Sequence, residues 1–225
     1  MTSLVCSATG ARYGADERRW CSESGALLDL DFTPRFDPRL VLSRPSTLWR
    51  YREVIPLVDD RNITSLGEPV TPVVPVEIDG RRILIKQEQL FPTGSYKDRG
   101  AAVLISKARE LGVRSLVQDS SGNAGVAIAA YAARAGIVCD IYVPETTSSA
   151  KLAQLYWHGA TVHRIPGSRE ATARAAYEAA RVHITQATAG TRSFSMGQKP
   201  LPMNCASSST GGFPMSSFFR WETGR

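Results

Sequence analysis

Two short runs, 70–76 and 82–86, are rich in Val, Ile and Leu, and we predict them to be strands. The dipeptide Asp79-Gly80 lies between them and favours the tight turn of a β-hairpin, because both residue types tolerate a positive φ. The spacing of apolar residues then becomes helical. Apolar residues recur every three or four positions in the segment 98–111, which predicts an amphipathic helix.

After this helix the pattern alternates between the two element types. We predict strands at 115–117, 137–143 and 161–165 and helices at 123–134, 147–158 and 169–180. The helix at 123–134 is rich in alanine and apolar on nearly all sides, so we expect it to be buried. Strands separated by helices of this length form right-handed βαβ units. The sequence therefore predicts an α/β fold with a parallel sheet.

The chain divides into three segments by pattern. Residues 1–50 mix short apolar runs with turn residues, residues 51–181 carry the α/β pattern, and residues 182–225 show no period. One interpretation of the last segment, which contains a run of Ser, Thr and Gly at 207–212, is a disordered, low-complexity tail.

Composition and charge exclude several classes of protein. The 225 residues are 43% hydrophobic and 21% charged, as in globular proteins. Half of the net charge of +6 comes from residues 185–225, and no basic stripe with interleaved aromatics is present. No apolar run reaches the ~20 residues of a membrane helix, and the first residues do not resemble a signal peptide. We expect a cytoplasmic protein that binds neither nucleic acid nor membrane.

Two loops at the starts of predicted helices carry the candidate chemistry. Both follow predicted strands, so we expect them at the ligand-binding end of one parallel sheet. The first reads PTGSYKDRG, residues 92–100. Its purely structural interpretation is a capping box between Ser95 and Asp98. In that case Lys97 is an ordinary solvated lysine, since most lysines are exposed.

The second loop reads SSGNAG, residues 120–125. Small residues let backbone N–H groups converge on one space, and the helix start adds positive potential. The loop is therefore either an ordinary β–α turn or a site for a carboxylate or phosphate. Taken together, an amine at Lys97, an amide at Asn123 and this anion site fit an enzyme that uses pyridoxal 5′-phosphate on an amino acid.

The pair PTGSYKDRG and SSGNAG closely resembles the threonine synthases, which have the tryptophan-synthase-β-like pyridoxal phosphate fold. The resemblance covers about residues 1–180 and includes KLAQLYWHGATV at 151–162. It implies that Lys97 is catalytic, binds the cofactor covalently and moves protons, and that Asn123 contacts the cofactor oxygen O3′. It further implies that the substrate carboxylate is bound by Ser120, Ser121 and Gly122.

The resemblance implies a lyase that converts O-phosphohomoserine and water to threonine and phosphate. A serine/threonine dehydratase and a β-replacement synthase of the same fold remain alternatives. The substrate in each case is a small amino acid, and proteins of this kind are usually homodimers.

Two motifs depart from the threonine synthase pattern. Glu-Gly-x-Thr-Pro appears here as EPVTP at 68–72, which keeps Thr71, a residue that the resemblance assigns to substrate binding. The N-terminal zinc ribbon of many relatives is reduced to two cysteines, Cys6 and Cys21. Two thiolates cannot fill the four positions around zinc, so we predict no metal in residues 1–50.

The second half of the expected fold is missing, including the glycine-rich loop for the cofactor phosphate. Read one base earlier, the codons of residues 195–205 can encode FHGTKTFAYEL and those of 215–225 can encode DVILLPVGNGT. Both strings resemble threonine synthases. We therefore hypothesise that the reading frame changes near Arg181, which the DNA sequence tests. An impaired enzyme or an inactive fragment is then the third functional alternative.

Overall fold

The protein is described by a computed structural model that covers residues 2–19, 21–34, 37–182 and 187–188. Its first element is a small antiparallel sheet in the order β2-β1-β3. The strands are β1 (Ser3–Cys6), β2 (Arg12–Gly14) and β3 (Leu28–Asp31). A short helix, α1 (Pro38–Ser43), follows, and 3-10 turns occupy Leu48–Val54 and Asp60–Asn62.

The predicted hairpin is present as β4 (Val73–Ile78) and β5 (Arg81–Lys86), which pair antiparallel. Asp79 and Gly80 form its turn with φ values of 50° and 71°, as the sequence predicted for a dipeptide that tolerates positive φ. The apolar residues of β5 remain unusually accessible: Ile83, Leu84 and Ile85 are each at least 40% exposed.

The α/β prediction is confirmed by a four-stranded parallel sheet in the order β8-β7-β6-β9. Its strands are β6 (Ser115–Gln118), β7 (Val138–Pro144), β8 (Thr161–Ile165) and β9 (Ala187–Thr188). The helices are α2 (Lys97–Glu110), α3 (Asn123–Ala135), α4 (Ser149–Trp157) and α5 (Arg169–Val182). Every predicted strand and helix is found within three residues of its predicted bounds.

Helices α2 and α3 pack against each other and form the centre of the core. Ala101, Ile105, Ala127 and Tyr131 have no exposed surface, which confirms that the Ala-rich helix is buried. Short turns join α2 to the start of β6 and the end of β6 to α3. Both helices therefore run against the direction of β6, and both begin at its carboxyl end.

One expectation about the sheet is wrong. The sequence placed both candidate loops after strands of one parallel sheet, but β5 pairs with β4 in a separate two-stranded sheet. A 3-10 turn, Glu88–Leu90, then leads into α2. Residue patterns show that a strand exists but not which sheet it joins, because the outer edge of each hairpin strand can pair with a further strand or remain unpaired.

Strand β9 lies within the segment that the sequence analysis treated as an aperiodic tail. Leu116 and Val117 of β6 pair in parallel with its two residues. The remainder of the predicted tail, 183–186 and 189–225, is outside the described residues, as are the two strings of the frameshift hypothesis. Within the described residues, no helix combines the length and apolar character needed to cross a membrane.

Candidate active site

Lys97 is the first residue of α2 and follows a loop that is tied to the helix by side chains. The Ser95 hydroxyl accepts a hydrogen bond from the Lys97 backbone N–H at 3.1 Å. Asp98 accepts from the Thr93 N–H at 2.8 Å and from the Thr93 hydroxyl. Asp98 thus contacts Thr93 instead of closing the predicted capping box with Ser95, because the loop turns back at Gly94, where φ is 75°.

The Lys97 side chain is partly exposed, unlike the two residues that follow it. Its ammonium lies 4.6 Å from the centroid of the Tyr96 ring, close enough for a cation–π contact. Asp98 and Arg99 are completely buried. The amine therefore stands at the surface of a first helical turn whose other charged residues are enclosed by protein.

A buried ion pair holds this first turn in place. The Arg99 guanidinium donates to the two carboxylate oxygens of Glu88 at 3.1 and 3.0 Å and lies 4.5 Å from the Phe91 ring centroid. Glu88 also accepts a hydrogen bond from the Thr71 hydroxyl at 2.5 Å. A buried guanidinium requires such a partner, because an uncompensated charge in the interior is very unfavourable.

The structure gives Thr71 a different setting from the one expected. Its side chain is completely buried and contacts Glu88, which belongs to the ion pair with Arg99. These contacts show a role in packing beneath the start of α2. Its assignment to substrate binding stays a prediction, and the structure offers no exposed hydroxyl in its support.

The environment of Asp98 raises the pKa of its carboxyl group. Burial raises the pKa of this carboxyl to about 6, and the nearby Glu68 acts in the same direction, against the hydrogen bonds from Thr93. Glu68 is itself buried and accepts hydrogen bonds from Trp49 Nε1, the Ser65 hydroxyl and the Leu66 N–H. The sequence analysis noted Glu68 only as part of a motif, and its three donors come from residues up to 19 positions away.

The second loop joins β6 to α3 and depends on a close backbone approach. A Cβ on Gly125 would lie 2.0 Å from the Ser120 carbonyl oxygen, so only glycine fits there. A Cβ on Gly122 would meet no atom within 4 Å, which leaves space beside the loop. Ser120, Ser121 and Gly122 are all partly exposed around that space.

Asn123 opens α3 with an exposed side chain. Its Oδ1 accepts a hydrogen bond at 2.7 Å from the ammonium of Lys151, in the first turn of α4. Lys151 also donates to Gln154 Oε1 at 3.1 Å. The sequence motif contained Lys151 but gave no sign of this contact, because the two residues are 28 positions apart and meet only through the β7 crossover.

Two loops that leave the parallel sheet are also tied to each other. Arg169, the first residue of α5, donates to the carbonyl of Asp119 and to its carboxylate at 3.1 Å. Asp119 immediately follows β6 and precedes the candidate anion loop. The starts of α3, α4 and α5 therefore converge at the carboxyl edge of the sheet, where ligands of α/β proteins bind.

The two N-terminal cysteines lie outside this region. Cys6 is buried in β1, and hydrogen bonds from Ser22 and Thr9 lower the pKa of its thiol to about 6. Ser24, three residues after Cys21, contacts the Cys6 sulfur at 3.9 Å. In the part of the chain that the structure describes, no three His, Cys, Asp or Glu side chains form a group that could hold a metal.

Comparisons with known proteins identify the family of this chain. The family described as "Pyridoxal-phosphate dependent enzyme" matches residues 64–210. The chain is 34% identical to threonine synthase of Methanocaldococcus jannaschii over 174 residues, which is 72% of this chain and 43% of that protein. It is 40% identical to threonine synthase of Halalkalibacterium halodurans over 126 residues, which is 54% of this chain and 36% of that protein.

Among solved structures, a pyridoxal 5′-phosphate-dependent aspartate racemase superposes with a TM-score of 0.55 and 27% identity. The match covers 62% of this chain and 46% of the racemase. The chain thus spans less than half the length of the curated relatives it matches.

The close approach at Gly125 predicts that alanine substitutions at two glycines of one loop change stability by different amounts. Gly125→Ala is expected to lower the free energy of unfolding by about 2 kcal/mol or more, because its Cβ meets backbone that cannot rotate away. Gly122→Ala is the matched control and is expected to change stability by less than about 1 kcal/mol. Urea unfolding of both variants measures the difference, and equal losses would contradict the structure.

The raised pKa of Asp98 predicts that the free energy of unfolding depends on pH. Because its folded pKa of about 6 lies above the usual value of 3.8, folding favours the protonated form. The contribution of Asp98 is therefore most favourable below about pH 4 and is lost as the pH rises to about 6, by up to about 3 kcal/mol. Asp98→Asn keeps partners for Thr93 and is expected to remove this slope. Urea midpoints at several pH values test this, and an unchanged slope in the variant would refute the assignment.

Proposed function

The chain belongs to the family of pyridoxal-phosphate dependent enzymes, and on that basis we propose that Lys97 and Asn123 bind one molecule of pyridoxal 5′-phosphate. The observation that carries the proposal is the common placement of α2 and α3, which begin at the same end of β6 with these two residues in their first positions. An amine for covalent attachment and an amide for orientation then approach the ligand from neighbouring helices.

The residues present fit such a ligand. The Lys97 amine is partly exposed, the Asn123 amide is exposed, and a Cβ built on Gly94 or Gly122 meets nothing within 4 Å. The space beside each of these glycines is therefore open to a ligand. The ammonium groups of Lys97 and Lys151 and two helix starts make the region positive, which favours a phosphorylated cofactor and a carboxylate substrate.

When bound, the cofactor withdraws electrons and stabilises negative charge on the substrate carbon that carries the amino group. In this proposal Lys97 would hold the cofactor through its amine, and the same amine, once free, would move the proton of that carbon. Asn123 donates its amide N–H to the ring oxygen O3′. Hydroxyl and N–H groups of Ser120, Ser121 and Gly122 bind the substrate carboxylate and fix which bond faces Lys97.

The proposed reaction of the whole protein is the conversion of O-phosphohomoserine and water to threonine and phosphate. Its support is the identity of 34% and 40% between the chain and two threonine synthases. A dehydratase or a β-replacement synthase would use the same Lys97 and the same loop. Because the chain spans less than half of its curated relatives, binding of the cofactor and turnover are tested separately.

Cofactor binding predicts one preferred lysine among the five in the chain. After incubation with pyridoxal 5′-phosphate and reduction with borohydride, peptide mass spectrometry is expected to find the adduct on Lys97. Lys97→Arg removes the site while keeping its charge, and Lys107→Arg, in the same helix, serves as the control. Equal labelling of Lys86, Lys107 and Lys151, or unchanged total labelling in Lys97→Arg, would contradict the proposal.

Turnover distinguishes the reactions that share this site. With O-phosphohomoserine the proposal predicts release of threonine and phosphate, and with serine or threonine no formation of an oxo acid. Oxo-acid formation would favour the dehydratase. An adduct on Lys97 without any turnover would identify the chain as a cofactor-binding fragment and overturn the assignment of catalysis to these 225 residues.

A further inference from the structure

Lys151 makes a contact that neither the sequence motifs nor the comparisons assign to a function. Its ammonium lies 2.7 Å from Oδ1 of Asn123, which is the proposed amide contact of the cofactor. A second hydrogen bond, to Gln154 Oε1 at 3.1 Å, joins the same ammonium to the next turn of α4. The Asn123 side chain is thus held from the neighbouring crossover unit.

The chemistry of an ammonium determines how the Asn123 amide is turned. Lysine has three donors and no acceptor, so only the carbonyl oxygen of the carboxamide can face it. The nitrogen Nδ2, which carries both amide hydrogens, therefore points away from Lys151. An isolated asparagine could present either atom to a ligand, whereas the Lys151 contact favours the donor.

We propose that Lys151 is a positioning residue that orients the Asn123 carboxamide so that Nδ2 donates to the cofactor ring oxygen. This inference rests on the proposed function, because it needs Asn123 to contact the cofactor. Two effects act together. The hydrogen bond fixes the rotation of the amide, and the positive charge polarises it, which makes its N–H a stronger donor.

The fold supports this role because α4 packs against the core. Leu155, one turn after Lys151, has no exposed surface and packs in the same cluster as Val126 and Ile128 of α3. Lys151 is partly buried, which restricts its side chain more than that of a fully exposed lysine. A competing role, direct contact of Lys151 with an anionic ligand, predicts a different dependence on Asn123.

A double-mutant cycle separates the two roles. Lys151→Met keeps the length of the side chain and removes the donor. Its affinity for pyridoxal 5′-phosphate, from absorbance titration, is expected to fall about three- to tenfold, whereas Lys151→Arg stays within about twofold. In an Asn123→Ala background, Lys151→Met is expected to have no further effect. Lys107→Met is the control, because Lys107 pairs with Glu110 in α2 and takes no part in the Lys151–Asn123 contact.

Two results would overturn the inference. A loss from Lys151→Met that persists in Asn123→Ala would show that Lys151 acts without the amide. An unchanged affinity in Lys151→Met, when the adduct on Lys97 still forms, would show that the contact has no effect on the site. If the native chain forms no adduct on Lys97, it is the proposed function that fails.

A measurement on the cofactor-free protein tests the Lys151–Asn123 contact itself. In protein labelled with ¹⁵N-asparagine, relaxation of the Asn123 side-chain amide reports its mobility. Lys151→Met is expected to increase that mobility, Lys151→Arg to restore it, and Asn62 to show no change. Equal mobility in the native chain and Lys151→Met would overturn the positioning role, whatever the affinity measurements show.

Discussion

The buried ion pair between Arg99 and Glu88 is the interaction on which the position of Lys97 depends. The guanidinium has no exposed surface, and Glu88 compensates its charge through two hydrogen bonds. Arg99 follows Lys97 by two residues, and Thr71 donates to the same glutamate. The first turn of α2 is therefore joined to the residues that follow the β4–β5 hairpin. This contact fixes the position of the turn that carries the Lys97 amine.

The second constraint is the close packing of loop against helix at the start of α3. Gly125 lets the Ser120 carbonyl approach to a distance that no side chain allows, which turns the loop across the carboxyl edge of the sheet. Arg169 holds the preceding Asp119, and Lys151 holds Asn123. Three helix starts are thus joined by side chains from one crossover unit to the next, and the loop is set between them.

Local sequence predicted the elements because local forces determine them. Asp79-Gly80 specifies its turn through positive φ, and the periodic apolar residues of α2 and α3 specify helices with buried faces. The fold class followed from their order. The same patterns could not show that the β4–β5 hairpin stays apart from the parallel sheet or that β9 pairs with β6, because sheet membership depends on residues distant in sequence.

The residues of the candidate site could be predicted from local sequence, but most of their contacts could not. Lys97, Asn123 and the 120–122 loop were identified from their motifs, whereas the buried setting of Thr71 and the partners of Asp98 and Asn123 were not. Asp98 contacts Thr93 within its own loop, but the other missed contacts join residues at least 11 positions apart: Lys151 with Asn123, and Glu88 with Thr71 and Arg99. Such contacts exist only once helices and strands have packed.

The central claim is that the Lys97 amine and the Asn123 amide serve one ligand. The chain contains three asparagines, so ¹⁵N-asparagine labelling gives few side-chain amide signals. After pyridoxal 5′-phosphate is reduced onto Lys97, the account predicts that the Asn123 amide signals shift while those of Asn62 stay in place. An adduct on Lys97 that leaves the Asn123 signals unchanged would contradict it.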